Sequence, residues 1–216
     1  MAAKLELLYL LNINKVDILS MACRVMEKHG IVYNFYEPGE YTWWIDGPIW
    51  EFGKSYTYIE PKMGNKNNLY HIIQKCEQVY SPNIKLNACL SGKIVTFHVS
   101  IIEKETQWIE LAIYFDIENF YDLNTLAMYP KENLFVKTLF YDIAQQLQPC
   151  YAVCGIEMLG LVDSPEKVII SEKNLGIYNY YNKKYFSPKS VCQISNRFNI
   201  LYGEKDIKII METKND

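Results

Sequence analysis

The sequence has few arginines, no long apolar run and no recognisable leader. Only two of its 22 basic residues are arginines, Arg24 and Arg197, and the net charge is −3. Because nucleic-acid surfaces depend on arginine forks and a positive face, this composition argues against a nucleic-acid binder. No apolar stretch reaches the ~18 residues of a membrane-spanning helix. The stretch Leu5–Leu11 is interrupted by Glu6 and Tyr9, so we expect no secretory signal, no membrane association and a cytoplasmic protein.

The usual motifs of catalysis and metal binding are also missing. The 6 cysteines include no CxxC pair, and the 3 histidines form neither HxxxH nor HExxH. Neither a glycine-rich phosphate loop nor a GxSxG nucleophile motif occurs. We therefore expect reduced cysteines buried as small apolar residues, no cofactor, and a protein without catalytic activity.

One acidic group keeps a catalytic alternative open. Asp116, Glu118 and Asp122 follow an apolar strand that ends at Phe115. If the strand continues, Asp116 and Glu118 share a face. Carboxylates at a strand end can hold Mg²⁺ through their oxygens. The alternative is therefore a small metal-dependent hydrolase or nuclease that uses this group.

Hydrophobic periodicity predicts a mixture of strands and helices. Helical spacing of apolar residues predicts helices over Lys15–Lys28, Asn65–Tyr80 and Pro130–Gln148. Asn14 is expected to cap the first helix, and Gly30 lies where its C-terminus favours a left-handed residue. Strict alternation marks Lys93–Glu103 as a strand with one buried face, and further strands are predicted at Lys4–Leu11, Ile84–Leu90 and Gln107–Asp116. We predict a single α+β domain over residues 1–216, with a mostly antiparallel sheet and about three amphipathic helices packed on it.

Aromatic residues are concentrated in two short segments. Ten of them fall between Tyr33 and Tyr58. The adjacent pair Trp43 and Trp44 cannot both face the core from one strand, because side chains alternate. A second group surrounds Tyr178 and Tyr180. The expected partner-binding residues are Tyr41, Trp43, Trp44, Asp46, Trp50, Glu51, Tyr178 and Tyr180.

Three stretches carry a resemblance to a known group of proteins. A helix with Leu139–Ala144 ends before Pro149, a strand follows at Tyr151–Val153, and a glycine-aromatic strand runs over Leu175–Tyr181. This succession resembles small bacterial immunity proteins of polymorphic toxin systems. The resemblance implies an α+β, cytoplasmic, non-enzymatic protein that caps a toxin, with no catalytic residues to carry over.

The sequence thus favours a protein-binding module. Trp and Tyr dominate interface hot spots, and an acidic rim can steer a basic partner. The first hypothesis is an immunity or inhibitor protein that caps a toxin or effector. Besides the metal-dependent enzyme, a phage or defence-system protein that stacks a small nucleotide on its aromatic rings stays an alternative.

Overall fold

The fold was analysed on a computed structural model. It describes residues 3–31, 39–45, 54–60, 73–74, 83–104, 107–122, 125, 127–158, 161, 164–191, 194–195 and 197–211. For residues 39–45 and 54–60 the backbone and its register are described. The helices are α1 (Lys15–Lys28) and α2 (Pro130–Leu147). The strands are β1 (Lys4–Leu11), β2 (Gly39–Ile45), β3 (Lys54–Glu60), β4 (Asn83–Leu90), β5 (Lys93–Glu103), β6 (Ile109–Asp116), β7 (Tyr121–Asp122), β8 (Ala127–Met128), β9 (Tyr151–Ile156), β10 (Tyr178–Asn182), β11 (Phe198–Tyr202) and β12 (Asp206–Met211).

Ten of these strands form one antiparallel sheet. Their order is β11-β12-β10-β9-β1-β6-β5-β4-β2-β3, and β7 pairs with β8 separately. The first strand of the chain lies in the interior of the sheet, between β6 and β9, and both pairings are antiparallel. The predicted α+β class and antiparallel sheet are therefore confirmed.

The helix count differs from the prediction. The described residues contain two long helices rather than about three. The predicted helix Asn65–Tyr80 lies outside the described residues except for Ile73 and Gln74, which are helical. No helix among the described residues is long and apolar enough to cross a membrane.

Local signals define both ends of the first helix. The Asn14 side chain accepts a hydrogen bond from the Asp17 backbone N–H at 2.9 Å, which caps the free N–H groups of α1. Gly30 follows the helix with φ +75°, a left-handed conformation that glycine adopts without steric cost. Both ends lie where the sequence predicts them.

The sheet buries residues on both of its faces. On β1, Leu5, Leu7 and Tyr9 belong to the core under α1 and α2. The alternate residues Leu8 and Leu10 belong to a second core on the opposite face. The connections on either side of β10 contribute Leu161, Leu175 and Phe186 to that second core, and β11 contributes Phe198. Because both faces are covered, β1 is apolar at nearly every position instead of alternating.

Candidate functional site

The segment with the highest density of aromatic residues forms the end of the sheet. β2 and β3 pair over their full length, from Gly39 opposite Glu60 to Ile45 opposite Lys54. We call these two strands the ribbon. Tyr41 and Thr42 pair with Ile84 and Asn83 of β4, so residues 43–45 of β2 extend past the first residue of that strand. A two-stranded ribbon that leaves the sheet has fewer neighbours to bury its residues.

The register of the ribbon brings aromatic positions together. Tyr41 lies opposite Tyr58, and Trp43 lies opposite Tyr56. Since alternate residues of a strand share a face, these four positions occupy one face and Trp44 occupies the other. Directly opposite aromatic residues form favourable cross-strand pairs. The backbone register places three of the eight predicted contact residues, Tyr41, Trp43 and Trp44. Three others, Asp46, Trp50 and Glu51, lie outside the described residues.

Tyr178 and Tyr180 lie in the core under the helices. Their exposed fractions are 2% and 1%. The Tyr178 ring packs against Phe140 and Tyr141 of α2, with ring centroids 6.3 and 6.0 Å away, and its hydroxyl donates to Asn133 Oδ1. The prediction that Tyr178 and Tyr180 share a face is correct. That face is covered by α2, so neither ring is accessible to a partner in this structure, and we do not retain them in the contact surface.

The acidic group of the metal alternative is dispersed. β6 ends at Asp116 and a short 3-10 helix begins at Ile117, so Glu118 does not continue the strand face. Asp116 instead accepts a hydrogen bond from Lys4 Nζ at 2.5 Å. Asp122 lies in the separate strand β7. The described residues contain no group of three or more His, Cys, Asp or Glu side chains that could hold a metal ion.

Burial keeps two of the described cysteines, Cys150 and Cys154, in their neutral thiol forms. Burial raises the pKa of the Cys150 thiol to about 12 and raises that of Cys154 further. The pKa of Tyr180 is likewise raised to about 12 by burial, with a smaller contribution from Asp206. Since the thiolate is the reactive form of cysteine, Cys150 and Cys154 are chemically inert at neutral pH.

A row of polar residues, His98, Tyr114 and Glu6, crosses the second face of the sheet. In the sequence, only the alternation of apolar and polar residues along β5 indicates that His98 lies on this face. Across β5, β6 and β1, His98 lies opposite Tyr114, and Tyr114 lies opposite Glu6. The rings of His98 and Tyr114 are stacked, with centroids 4.9 Å apart and planes 3° from parallel. Because each strand is separated from the next by ~4.8 Å, His98 and Glu6 lie about 10 Å apart. That separation is too large for direct proton transfer between them.

Glu6, in this row, is a partly buried carboxylate with two other carboxylates near it. Burial raises its pKa above the ordinary 4.5, a backbone hydrogen bond from Met158 opposes the shift, and the Glu110 and Glu157 carboxylates add to it. Among the described residues, Glu6 Oε2 has no hydrogen-bond partner. The ionised form is therefore less favourable in the folded protein than in the unfolded chain.

We expect Glu6→Gln to become more stabilising as the pH rises. Above pH 4.5 the folded state binds more protons at Glu6 than the unfolded chain, so the wild type loses stability through this window. The Gln variant has no such loss, and its side-chain oxygen can still accept from Met158. Denaturant unfolding at a series of pH values should give equal stabilities near pH 4.5 and a growing advantage for the variant above it.

The exposed Glu204→Gln substitution is the control for that series. It removes the same carboxylate from a solvated position, so its difference from the wild type should stay small and almost independent of pH. A Glu6→Gln difference that does not change with pH would contradict the charge environment described for Glu6.

Lys104 and Glu110 form a buried ion pair at the turn between β5 and β6. Lys104 Nζ lies 2.7 Å from Glu110 Oε2, and the two side chains are 13% and 2% exposed. Both also bind the backbone of Leu161: its N–H donates to Glu110 at 2.8 Å, and its carbonyl accepts from Lys104 at 3.0 Å. The sequence does not reveal this pair, because Leu161 is distant in the chain. Its chemistry is that of a structural clamp, since both charges are paired.

A shallow depression of about 380 Å³ lies between the two helices. Val25, Lys28, Asp142, Gln145 and Gln146 line it. Next to it, His29 Nε2 lies 2.9 Å from Asp142 Oδ2, a contact that joins the end of α1 to α2. This lining is polar and open, and its described residues include no buried nucleophile or acid pair.

Comparison with known proteins assigns no relative to this chain. No family model, no curated protein and no solved structure matches it.

Proposed function

We propose that this protein is a non-enzymatic, cytoplasmic binding protein, an immunity or inhibitor protein that caps a toxin or effector. The observation that carries the proposal is the register of the ribbon, which places Tyr41, Trp43, Tyr56 and Tyr58 on one face. Tyr41 lies beside Ile84 of β4, and the pair of Trp43 and Tyr56 lies past the start of that strand. Clustered Tyr and Trp residues supply large contact area and most of the binding energy in protein interfaces.

Charge around the ribbon suits a basic partner. Glu40 and Glu60 lie on its strands, and Asp46 and Glu51 are in the connection between them. The sole basic residue between Glu40 and Glu60 is Lys54. An acidic rim accelerates encounter with a basic surface, and the aromatic positions then provide the affinity. The mechanism is occlusion: the partner's active surface is covered by the ribbon.

The other hypotheses receive less support from the described residues. Asp116 is engaged by Lys4, and Glu118 and Asp122 follow it on separate elements, so the metal-dependent enzyme lacks its ligand group. A small nucleotide could stack on the same aromatic face, because aromatic rings accept bases and protein side chains alike. The experiment below separates the nucleotide from the protein partner.

The test is co-expression with the products of the neighbouring genes. We expect one of them to co-purify as a stoichiometric complex and to be less toxic to the host in the presence of this chain. Trp43→Ala and Tyr41→Ala should each weaken the complex by about 2 kcal/mol or more, about thirtyfold in Kd, as truncation of a hot-spot residue does. Isothermal titration calorimetry gives the affinities.

Tyr129→Ala is the matched control, because Tyr129 is 43% exposed and lies at the start of α2, outside the ribbon. Its affinity for the partner should equal that of the wild type. If no neighbouring product forms a complex, or if the ribbon variants bind as tightly as the control, the proposal is wrong. Quenching of tryptophan fluorescence by free nucleotides, in the absence of any protein partner, would favour the nucleotide-binding alternative.

A further inference from the structure

The strand at the other end of the sheet, β11, lacks the features that usually protect an open edge. Among the described strands it has a neighbour on one side only, β12. Its five residues, Phe198–Tyr202, include no charged residue and no proline. Leu201 and Tyr202 are 46% and 55% exposed. Proteins generally protect such edges with lysine, proline or a bulge, because an unprotected edge pairs with another strand.

The hydrogen-bond pattern shows which backbone groups point outward. In the turn after β11, the Gly203 N–H donates to the Asp206 carbonyl at 3.0 Å. Because hydrogen-bonded pairs alternate along an antiparallel ladder, Leu201 with Lys208 is the next bonded pair within the sheet. The N–H and C=O groups of Ile200 and Tyr202 are therefore directed towards the open edge.

We propose that β11 pairs with β11 of a second copy of this chain, antiparallel and about a two-fold axis at Ile200. In this register Ile200 lies opposite its own counterpart, so its outward N–H and C=O groups meet those of the second copy, and the Tyr202 N–H meets the Phe198 carbonyl of the second copy. The Phe198 N–H donates to the Ser195 carbonyl of its own chain at 3.2 Å and takes no part in the pairing. Phe198 then lies opposite Tyr202 of the second copy, and Asn199 lies opposite Leu201 of the second copy. The two exposed apolar side chains, Leu201 and Tyr202, gain neighbours on the joined sheet.

Charges at the ends of β11 select this register. Arg197 precedes the strand, and Glu204 and Lys205 follow it. With the axis at Ile200, Arg197 lies opposite Gly203 of the second copy, beside Glu204, while its Nη2 stays 3.1 Å from Glu172 Oε2 of its own chain. Moving the axis to Leu201 would place Arg197 directly opposite Lys205, and like charges that face each other across strands repel. Of these two axes, the one at Ile200 both uses the outward backbone groups and avoids facing like charges, which favours a second copy as the occupant of the edge.

Sedimentation equilibrium on the full chain tests the proposal. An interface of one strand pair is small, so we expect reversible dimerisation over about 10 μM to 1 mM. Ile200→Lys places two lysines opposite each other at the axis and should weaken dimerisation by at least about tenfold. The control is Ile94→Lys at a 62% exposed position of β5, which should dimerise as the wild type does.

A charge swap makes the test specific to the two-fold axis. Ile200→Lys and Ile200→Glu should each dimerise at least about tenfold more weakly than the wild type when alone, and an equimolar mixture should recover association, because the axis then pairs opposite charges. If circular dichroism shows that these variants do not fold, Tyr202→Lys at the exposed end of the strand replaces them, with the same expected loss.

Three results would overturn the proposal. The first is a wild type that remains monomeric at every concentration. The second is an equal effect of Ile94→Lys and the β11 variants. The third is hydrogen-exchange protection of the Ile200 and Tyr202 amides only when a different protein is bound, which would assign the edge to a strand of that protein.

Discussion

Replacing Lys104 with methionine is expected to lower the free energy of unfolding by about 3–5 kcal/mol, since it leaves a buried carboxylate without its cation. Glu110 is 2% exposed as a side chain, so water cannot take the place of the lysine ammonium. The substitution also removes the donor to the Leu161 carbonyl. Urea denaturation followed by circular dichroism gives the loss directly.

Two further variants show whether the loss comes from burial. Lys4→Met breaks an ion pair with Asp116 whose side chains are 31% and 40% exposed, and it should cost less than about 1 kcal/mol. The double variant Lys104→Met/Glu110→Gln should recover most of the lost stability, because the introduced amide carries no charge and can still accept from the Leu161 N–H. Equal losses for Lys104→Met and Lys4→Met would contradict the buried clamp.

Truncating Leu139 to alanine is expected to cost about 2–5 kcal/mol, the range for a leucine removed from a packed core. Leu139 is completely buried in the core between α2 and the sheet. Alanine is at least as good a helix former as leucine, so the loss comes from packing and not from the helix itself. Thermal and denaturant unfolding of the variant measure it.

Leu134→Ala is the matched control on the same helix. Leu134 is 65% exposed, and its truncation should change the free energy of unfolding by no more than about 0.5 kcal/mol. A Leu134→Ala loss as large as that of Leu139→Ala would mean that the exposed side of α2 is covered by another part of the protein.

Local structure could be predicted from the sequence because its signals are local. β1 and α1 have the predicted bounds, Lys4–Leu11 and Lys15–Lys28, and β5 likewise matches its predicted range, Lys93–Glu103. Alternation, a capping asparagine and a glycine after the helix act within a few residues. The end of β6 at Asp116 also agrees with the apolar pattern.

Long-range pairing could not be predicted in the same way. The residues of β1 do not indicate that β6 and β9 are its neighbours. Strand pairing depends on many weak contacts between segments that are distant in the chain. For the same reason the sequence places Tyr178 and Tyr180 on one face and does not reveal that α2 covers it. A tyrosine is equally suited to a core and to an interface, so its burial is decided by tertiary structure.

In the candidate site, too, the local features could be predicted from the sequence and the long-range contacts could not. The concentration of aromatic residues between Tyr33 and Tyr58 is visible in the sequence. Which of them lie opposite each other, such as Trp43 and Tyr56, is known only from the register of β2 with β3. The Lys104–Glu110 clamp and the His98–Tyr114 stack could be found only in the structure. Each joins residues of different elements, and no sequence motif marks these residues as partners.

The interior position of β1 has a consequence for how the chain is made. β1 is synthesised before the other described strands, yet its two neighbours end at Asp116 and Ile156. During translation it therefore emerges as an apolar segment that must wait for both partners, whereas β4, β5 and β6 can pair with each other as soon as they appear. Folding that depends on such distant contacts is slow and leaves apolar strands exposed to aggregation. We expect the nascent chain to need chaperone protection until β9 has left the ribosome.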